Sequence, residues 1–136
     1  MKLRHLLPFL FLLSITACAD ESPQEAAPET VNQLLGRWNI TEATRNGRPT
    51  DNLTDAYLEI SPDGKLLYNL DGSPQNANWA LNGKILSQTG GRLDIDYTIQ
   101  ELTNNNLVLG MTLRSIPFVM KFEKVTAEEV QESTVQ

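Results

Sequence analysis

Two residues in this chain could act as a nucleophile or a soft metal ligand near neutral pH, Cys18 and His5, and both lie within the first 18 of 136 positions. Beyond position 18 there is no thiol and no imidazole. Ser-His-Asp and Cys-His catalysis therefore lack a base there, and thiolate or imidazole metal sites lack their donors. A single cysteine closes no disulfide within the chain, so stability must come from apolar burial. Carboxylates remain: Asp94 and Asp96, two apart, share one face of a strand and could serve acid–base work or hold a cation. They alternate with Leu93, Ile95 and Tyr97, however, which makes water their expected neighbour. The large residues Trp38, Trp79, Tyr97, Met111, Phe118 and Phe122 are the candidates to line a ligand cavity or to fill a core. These residue types point to binding or packing rather than to an enzyme, and they call for no cofactor and no metal.

The stretch before Cys18 gives that residue a specific chemistry. Lys2 and Arg4 precede an apolar run over residues 6–13, followed by Ser14-Ile15-Thr16-Ala17, the pattern of a secretory signal peptide spanning residues 1–17. The run falls well short of the roughly 20 residues that a membrane-spanning helix needs. Ile15-Thr16-Ala17-Cys18 resembles the lipobox of bacterial lipoproteins, which implies a diacylglycerol on the Cys18 thiol and cleavage that leaves this cysteine first. Acyl chains contribute about 0.8 kcal/mol per buried CH2, and two or more anchor stably, so the resemblance makes the membrane a partner through an N-terminal lipid. Ala19, with Asp20 displaced by one, resembles the sorting pattern for the outer membrane. That implies the bacterial cell envelope as location, on the periplasmic face or the surface. Residues 18–33, rich in Ala, Pro, Glu, Ser and Gln, read as the lipidated cysteine and a flexible tether.

Charge divides the chain in the same places. Without Lys2 and Arg4, nine basic residues face 17 acidic ones. Four of the acids (Asp20, Glu21, Glu25, Glu29) sit in the tether, and three (Glu128, Glu129, Glu132) in residues 126–136, which read as an acidic, disordered tail. The segment 34–125 is left nearly neutral, and it lacks the basic patch that nucleic-acid binding requires.

Within 34–125, strand patterns follow one another. Leu34-Leu35-Gly36-Arg37-Trp38 opens the first, expected over 37–43, with Trp38 and Ile40 on one face. Further strands are expected over 57–61, 65–69, 77–81, 84–88, 93–100, 107–113 and 118–123. Turn signals separate them, among them Ser61-Pro62-Asp63-Gly64, Asp71-Gly72, Asn82-Gly83 and Asn104-Asn105-Asn106. The clearest alternation is Leu93, Ile95, Tyr97 and Ile99 against Asp94, Asp96, Thr98 and Gln100, which assigns Leu93 to the core. Eight short strands with one apolar face each suit an all-β, compact, antiparallel up-and-down β-barrel, since closure hides that face and removes the edges. A two-sheet β-sandwich is the alternative.

The Leu35-Gly36-Arg37-Trp38 opening, the Pro62-Asp63-Gly64 hairpin and Trp79 ahead of Asn82-Gly83-Lys84 together resemble the lipocalin-like domains of bacterial lipoproteins, over residues 34–125. The resemblance implies a monomeric module for a small apolar or amphipathic ligand. The other reading is a filled barrel that meets an envelope protein and binds no small molecule. In larger lipocalins a late arginine covers the first-strand Trp. Here Arg114, Lys121 and Lys124 are the available cations, and the sequence leaves the choice among them open. An eight-stranded barrel is just wide enough to be filled by side chains or to hold one small ligand. The expectation is a filled lower barrel, a shallow apolar pocket at one mouth and micromolar or weaker binding.

Overall fold

A computed structural model of the chain describes residues 27–126, 128 and 129. The signal peptide, Cys18, the first part of the expected tether and residues 130–136 lie outside the described residues. A short helix, α1 (Pro28–Leu34), precedes nine strands: β1 (Gly36–Arg45), β2 (Arg48–Pro49), β3 (Tyr57–Ile60), β4 (Lys65–Asn69), β5 (Gln75–Asn82), β6 (Ile85–Thr89), β7 (Ile95–Leu102), β8 (Asn106–Leu113) and β9 (Ile116–Lys124). Strand β1 pairs antiparallel with β2 and with β3, each strand from β3 to β8 pairs antiparallel with the next, and β1 also pairs with β9, from Trp38 opposite Lys124 to Arg45 opposite Phe118. The sheet therefore closes into an eight-stranded barrel, with the two-residue β2 a spur on the end of β1. Closure excludes the open sandwich.

The apolar positions of alternate residues form one continuous core, in which Trp38, Tyr97, Phe122, Leu58, Leu86, Leu107, Leu109 and Met120 are fully buried. Two bulges keep the alternation in phase with the barrel's curvature. Thr41 is the extra residue of the first, between Ile40 and Glu42, and it turns Ala43 inward. Gln100 is that of the second, between Ile99 and Glu101. An inserted residue shifts the period-two pattern by one, which is why alternation read straight through β1 does not reach Ala43.

One end of the barrel is closed by α1, a helix in part of the stretch expected to be tether. Pro28 suits its first turn, where a backbone N–H would be unpaired in any case. Leu34 is fully buried, and the carbonyls of the last turn have definite partners: Trp38 Nε1 donates to Leu34 O at 2.8 Å, and Lys124 Nζ donates to Gln33 O at 2.7 Å. Lys124 Nζ also stands 4.7 Å from the centre of the Trp38 ring, so the cation over the first-strand Trp is Lys124. Between helix and strand the chain turns at Gly36, whose φ of +119° is open to glycine and strained for other residues. The Lys124 stem passes 3.7 Å from where a Cβ on Gly36 would lie.

Leu93 departs from its expected place: it is 47% exposed, and β7 begins two residues later. The Gly90 N–H donates to Asp94 Oδ1 at 3.2 Å, which closes a turn over the first residues of the expected strand and leaves Leu93 at the barrel's open end. Asp96, on β7, accepts from Ser87 Oγ at 2.6 Å. Both carboxylates face solvent and serve the local structure.

Candidate functional site

The open end of the barrel gathers the β4–β5, β6–β7 and β8–β9 turns and the loop between β2 and β3. That loop is polar except for Leu53 and Ala56, which are both buried. Beneath it lies a partly enclosed pocket of about 120 Å³, walled by Leu53, Tyr68, Leu70, Ile95, Met111 and Phe118. Leu93 and Leu113 stand at its edge, and Arg92 and Asp71 cross the rim as an ion pair of 2.8 Å. Both partners are well exposed, so that pair contributes little to stability. A larger depression of about 720 Å³ lies outside the closed end, bordered by Leu35, Arg37, Asn39, Glu59 and Val125. Its charged groups are already engaged: Arg37 stacks on Tyr57 at 4.0 Å and reaches Glu59 at 3.7 Å. The mouth cavity is the smaller of the two, but it is the less open and has the more apolar walls, the property that small-molecule sites share.

Beside the cavity, where Gln88 pairs with the cavity residue Ile95 across the β6–β7 ladder, lies a buried polar bridge. Gln88 is completely buried; its Oε1 accepts from the Tyr97 hydroxyl at 2.9 Å, and its Nε2 donates to Leu93 O at 3.0 Å. Burial pushes the Tyr97 pKa well above the usual tyrosine value, with the nearby Tyr68 adding to the effect, so the hydroxyl stays protonated and remains a donor. The bridge ties β6 to β7 and fixes the turn that presents Leu93 and Arg92 to the mouth.

The six candidate residues divide between the two ends. Met111 and Phe118 line the cavity. Trp38, Tyr97 and Phe122 are core. Trp79 is half-buried, and its Nε1 donates to Ser61 O at 2.8 Å in the β3–β4 turn, away from the cavity. Sequence reasoning missed Gln88, Tyr68, Leu70 and Leu53. Gln88 and Tyr68 carried a usable signal, since each follows an inward leucine, Leu86 or Leu66, by two. Among the described residues no group of three or more His, Cys, Asp or Glu is placed to hold a metal ion.

The sequence pattern of the lipocalin-like domain matches residues 34–109, more than half of the chain. The chain belongs to the lipocalin-like domain family. Comparison with curated proteins finds no match. Lipocalin-like domains are a binding fold, generally without enzymatic activity, and the mouth cavity lies where such a barrel is open. The matched segment covers the Gly36-Arg37-Trp38 opening and ends within β8. Lys124, the cation over Trp38, lies beyond it.

Proposed function

We propose that this protein is a lipid-anchored lipoprotein of the bacterial envelope, outer membrane by its sorting residues, whose lipocalin-like domain holds one small apolar or amphipathic ligand at the barrel mouth. The observation that carries the reading is the partly enclosed apolar cavity of about 120 Å³ at the mouth of a barrel whose core is filled by its own side chains. A cavity of roughly 150 Å³ lined by apolar side chains accommodates one benzene-sized molecule, whereas typical ligand pockets run from about 300 to 1,000 Å³. The ligand, or the part of it that enters, is then about one ring or a short chain in size. So few buried atoms limit binding to the micromolar range or weaker, about −8 kcal/mol or smaller in magnitude.

The anchor rests on Ile15-Thr16-Ala17-Cys18. Cys18→Ser should move the protein from the membrane to the soluble fraction, and unchanged fractionation would refute the lipid reading. For the cavity, Met111 lines it while Met120 is buried in the core. Methyl NMR of the two methionines during titration with benzene or hexanol should shift Met111 saturably and leave Met120 nearly still. No saturable shift at millimolar ligand would favour the filled barrel that meets a protein partner.

A further inference from the structure

One side of the mouth carries arginines that form no ion pair among the described residues. Arg45 and Arg48 flank the Asn46-Gly47 turn and sit directly opposite each other in the β1–β2 ladder. Like charges directly across a ladder repel. Arg45 is also paired with Phe118 in the β1–β9 ladder. Residues paired across a ladder share a face of the sheet, and Phe118 lines the cavity. Arg45 and Arg48 therefore stand on the same face of the sheet as the cavity residue Phe118, at the open end of the barrel and exposed to solvent, beyond the residues that line the cavity.

A third arginine joins them. The Asn46 N–H donates to Pro117 O at 2.8 Å, which holds the β1–β2 hairpin against the β8–β9 hairpin, where Arg114 occupies the turn. Arg114 and Ser115 have φ of 50° and 67°, a left-handed pair that residues other than Gly, Asn and Asp seldom adopt. No carboxylate forms an ion pair with Arg45, Arg48 or Arg114 among the described residues, although Asp51 and Asp55 lie on the loop that follows β2. Arg92, across the rim, is already paired with Asp71.

We infer that the ligand is an anion: a small amphiphile whose apolar part enters the mouth cavity and whose carboxylate, or other negatively charged group, meets Arg45 and Arg48, with Arg114 adding to the local positive potential. An anion there relieves the repulsion across the β1–β2 ladder, and guanidinium donors suit carboxylate and phosphate oxygens. This inference rests on the binding function proposed above and names its ligand class.

The test compares hexanoate with hexanol, equal in chain length and different in charge. The Met111 methyl signal is followed in the protein from residue 18 onward carrying Cys18→Ser. Hexanoate should bind about five- to tenfold more tightly at low ionic strength, as expected for exposed, partly screened pairs. The preference should shrink at 0.5 M salt, where screening acts within about 4 Å. Arg45→Gln with Arg48→Gln should bring the two ligands level, while Lys84→Gln, at the opposite end of the barrel, should leave the preference intact. Thermal unfolding of the double variant should be no lower than that of the parent, because both arginines are exposed and mutually repelling. Equal affinities for the two ligands in the parent, or a preference that survives the double substitution, would overturn the anion inference and leave the cavity as a binding site. No saturable shift with either ligand would overturn both.

Discussion

Replacing Lys124 with methionine separates the fold's closing contact from ordinary surface charge. Methionine keeps most of the apolar stem that passes Gly36 and removes only the ammonium. That group donates to the last turn of α1 at 2.7 Å and stands 4.7 Å from the Trp38 ring. A hydrogen bond from a charged donor contributes about 1.5 to 3 kcal/mol, and a cation over an aromatic face about 0.5 to 1 kcal/mol at a partly exposed site. Desolvation opposes both, since burial lowers the Lys124 pKa from its usual value. The net loss should be about 1 to 3 kcal/mol. Lys121 provides the control: it pairs with Glu42 at 3.0 Å, but both side chains are half exposed, so Lys121→Met should cost no more than about 0.5 kcal/mol. For a domain of this size each kcal/mol moves Tm by about 4 to 8 °C. Urea and thermal melts of the two variants should therefore separate clearly, with Lys124→Arg retaining most of the parent's stability. Equal melts for Lys124→Met and Lys121→Met would refute the assignment of Lys124 as the closing cation.

Three further outcomes follow from the buried polar bridge and the turn that precedes β1. Gln88→Leu leaves the Tyr97 hydroxyl and the Leu93 carbonyl without their partner, and should cost about 2 to 4 kcal/mol in urea melts. Adding Tyr97→Phe should cost less than the sum of the two single changes, with a coupling of at least about 1 kcal/mol; strict additivity would dissolve the bridge. Tyr97 also sets a pH dependence. Its pKa is raised in the folded state, so the unfolded chain loses the proton first, and the stability held below pH about 10 falls as pH rises beyond it. Between pH 8 and 11 the parent should lose stability more steeply than Tyr97→Phe, a comparison in which the Lys124 contribution, of opposite sign, cancels. Gly36→Ala should cost about 1 to 3 kcal/mol because of its φ. Gly110→Ala, which meets only the movable end of the Gln100 side chain, should cost less than about 1 kcal/mol; the reverse order in denaturant melts would contradict the backbone account.

Strand number, order and closure were readable because turn chemistry and period-two alternation agree along 34–125, and β4 lies where its pattern put it. Reading failed where a local contact overrides the period. The Asp94 contact to Gly90 turns the backbone before β7 begins, so Leu93 leaves the core despite perfect alternation. The bulge at Thr41 flips the phase of β1, and nothing in Asn39-Ile40-Thr41-Glu42 announces it. Helix α1 escaped because its seven residues carry little apolar surface, and the tertiary contacts of Leu34 and Lys124 hold it where propensity alone would not. The cavity was anticipated as a shallow pocket at one mouth with Met111 and Phe118 among the candidates to line it, but Leu53, Tyr68 and Leu70 were not. Leu53 and Leu70 sit in loops among polar residues, and only the closed barrel shows that they meet Met111 and Phe118. The buried Gln88 escaped because glutamine is mostly exposed, so its inward parity was outweighed by its polarity.

The two ends of the barrel also differ in their distance from the proposed anchor. Helix α1 sits on the closed end, and Ala27 at its start is nine positions after Cys18. Fully extended, nine steps reach at most about 32 Å, close to the length of the barrel's longer strands, eight to ten residues at about 3.3 Å each. If Cys18 carries lipid, the closed end is held near the bilayer and the mouth lies on average farther out. A ligand would then enter from water. That suits a small amphiphilic anion, whose charge keeps it soluble, better than a molecule drawn from the lipid phase. Placing a single fluorophore on the anchored protein tests this, at position 93 on the mouth or at position 84 in the turn between β5 and β6, with a quencher fixed at the lipid headgroups. Quenching should be stronger at position 84. Equal quenching, or stronger quenching at position 93, would turn the mouth toward the membrane and remove this argument for a water-borne ligand.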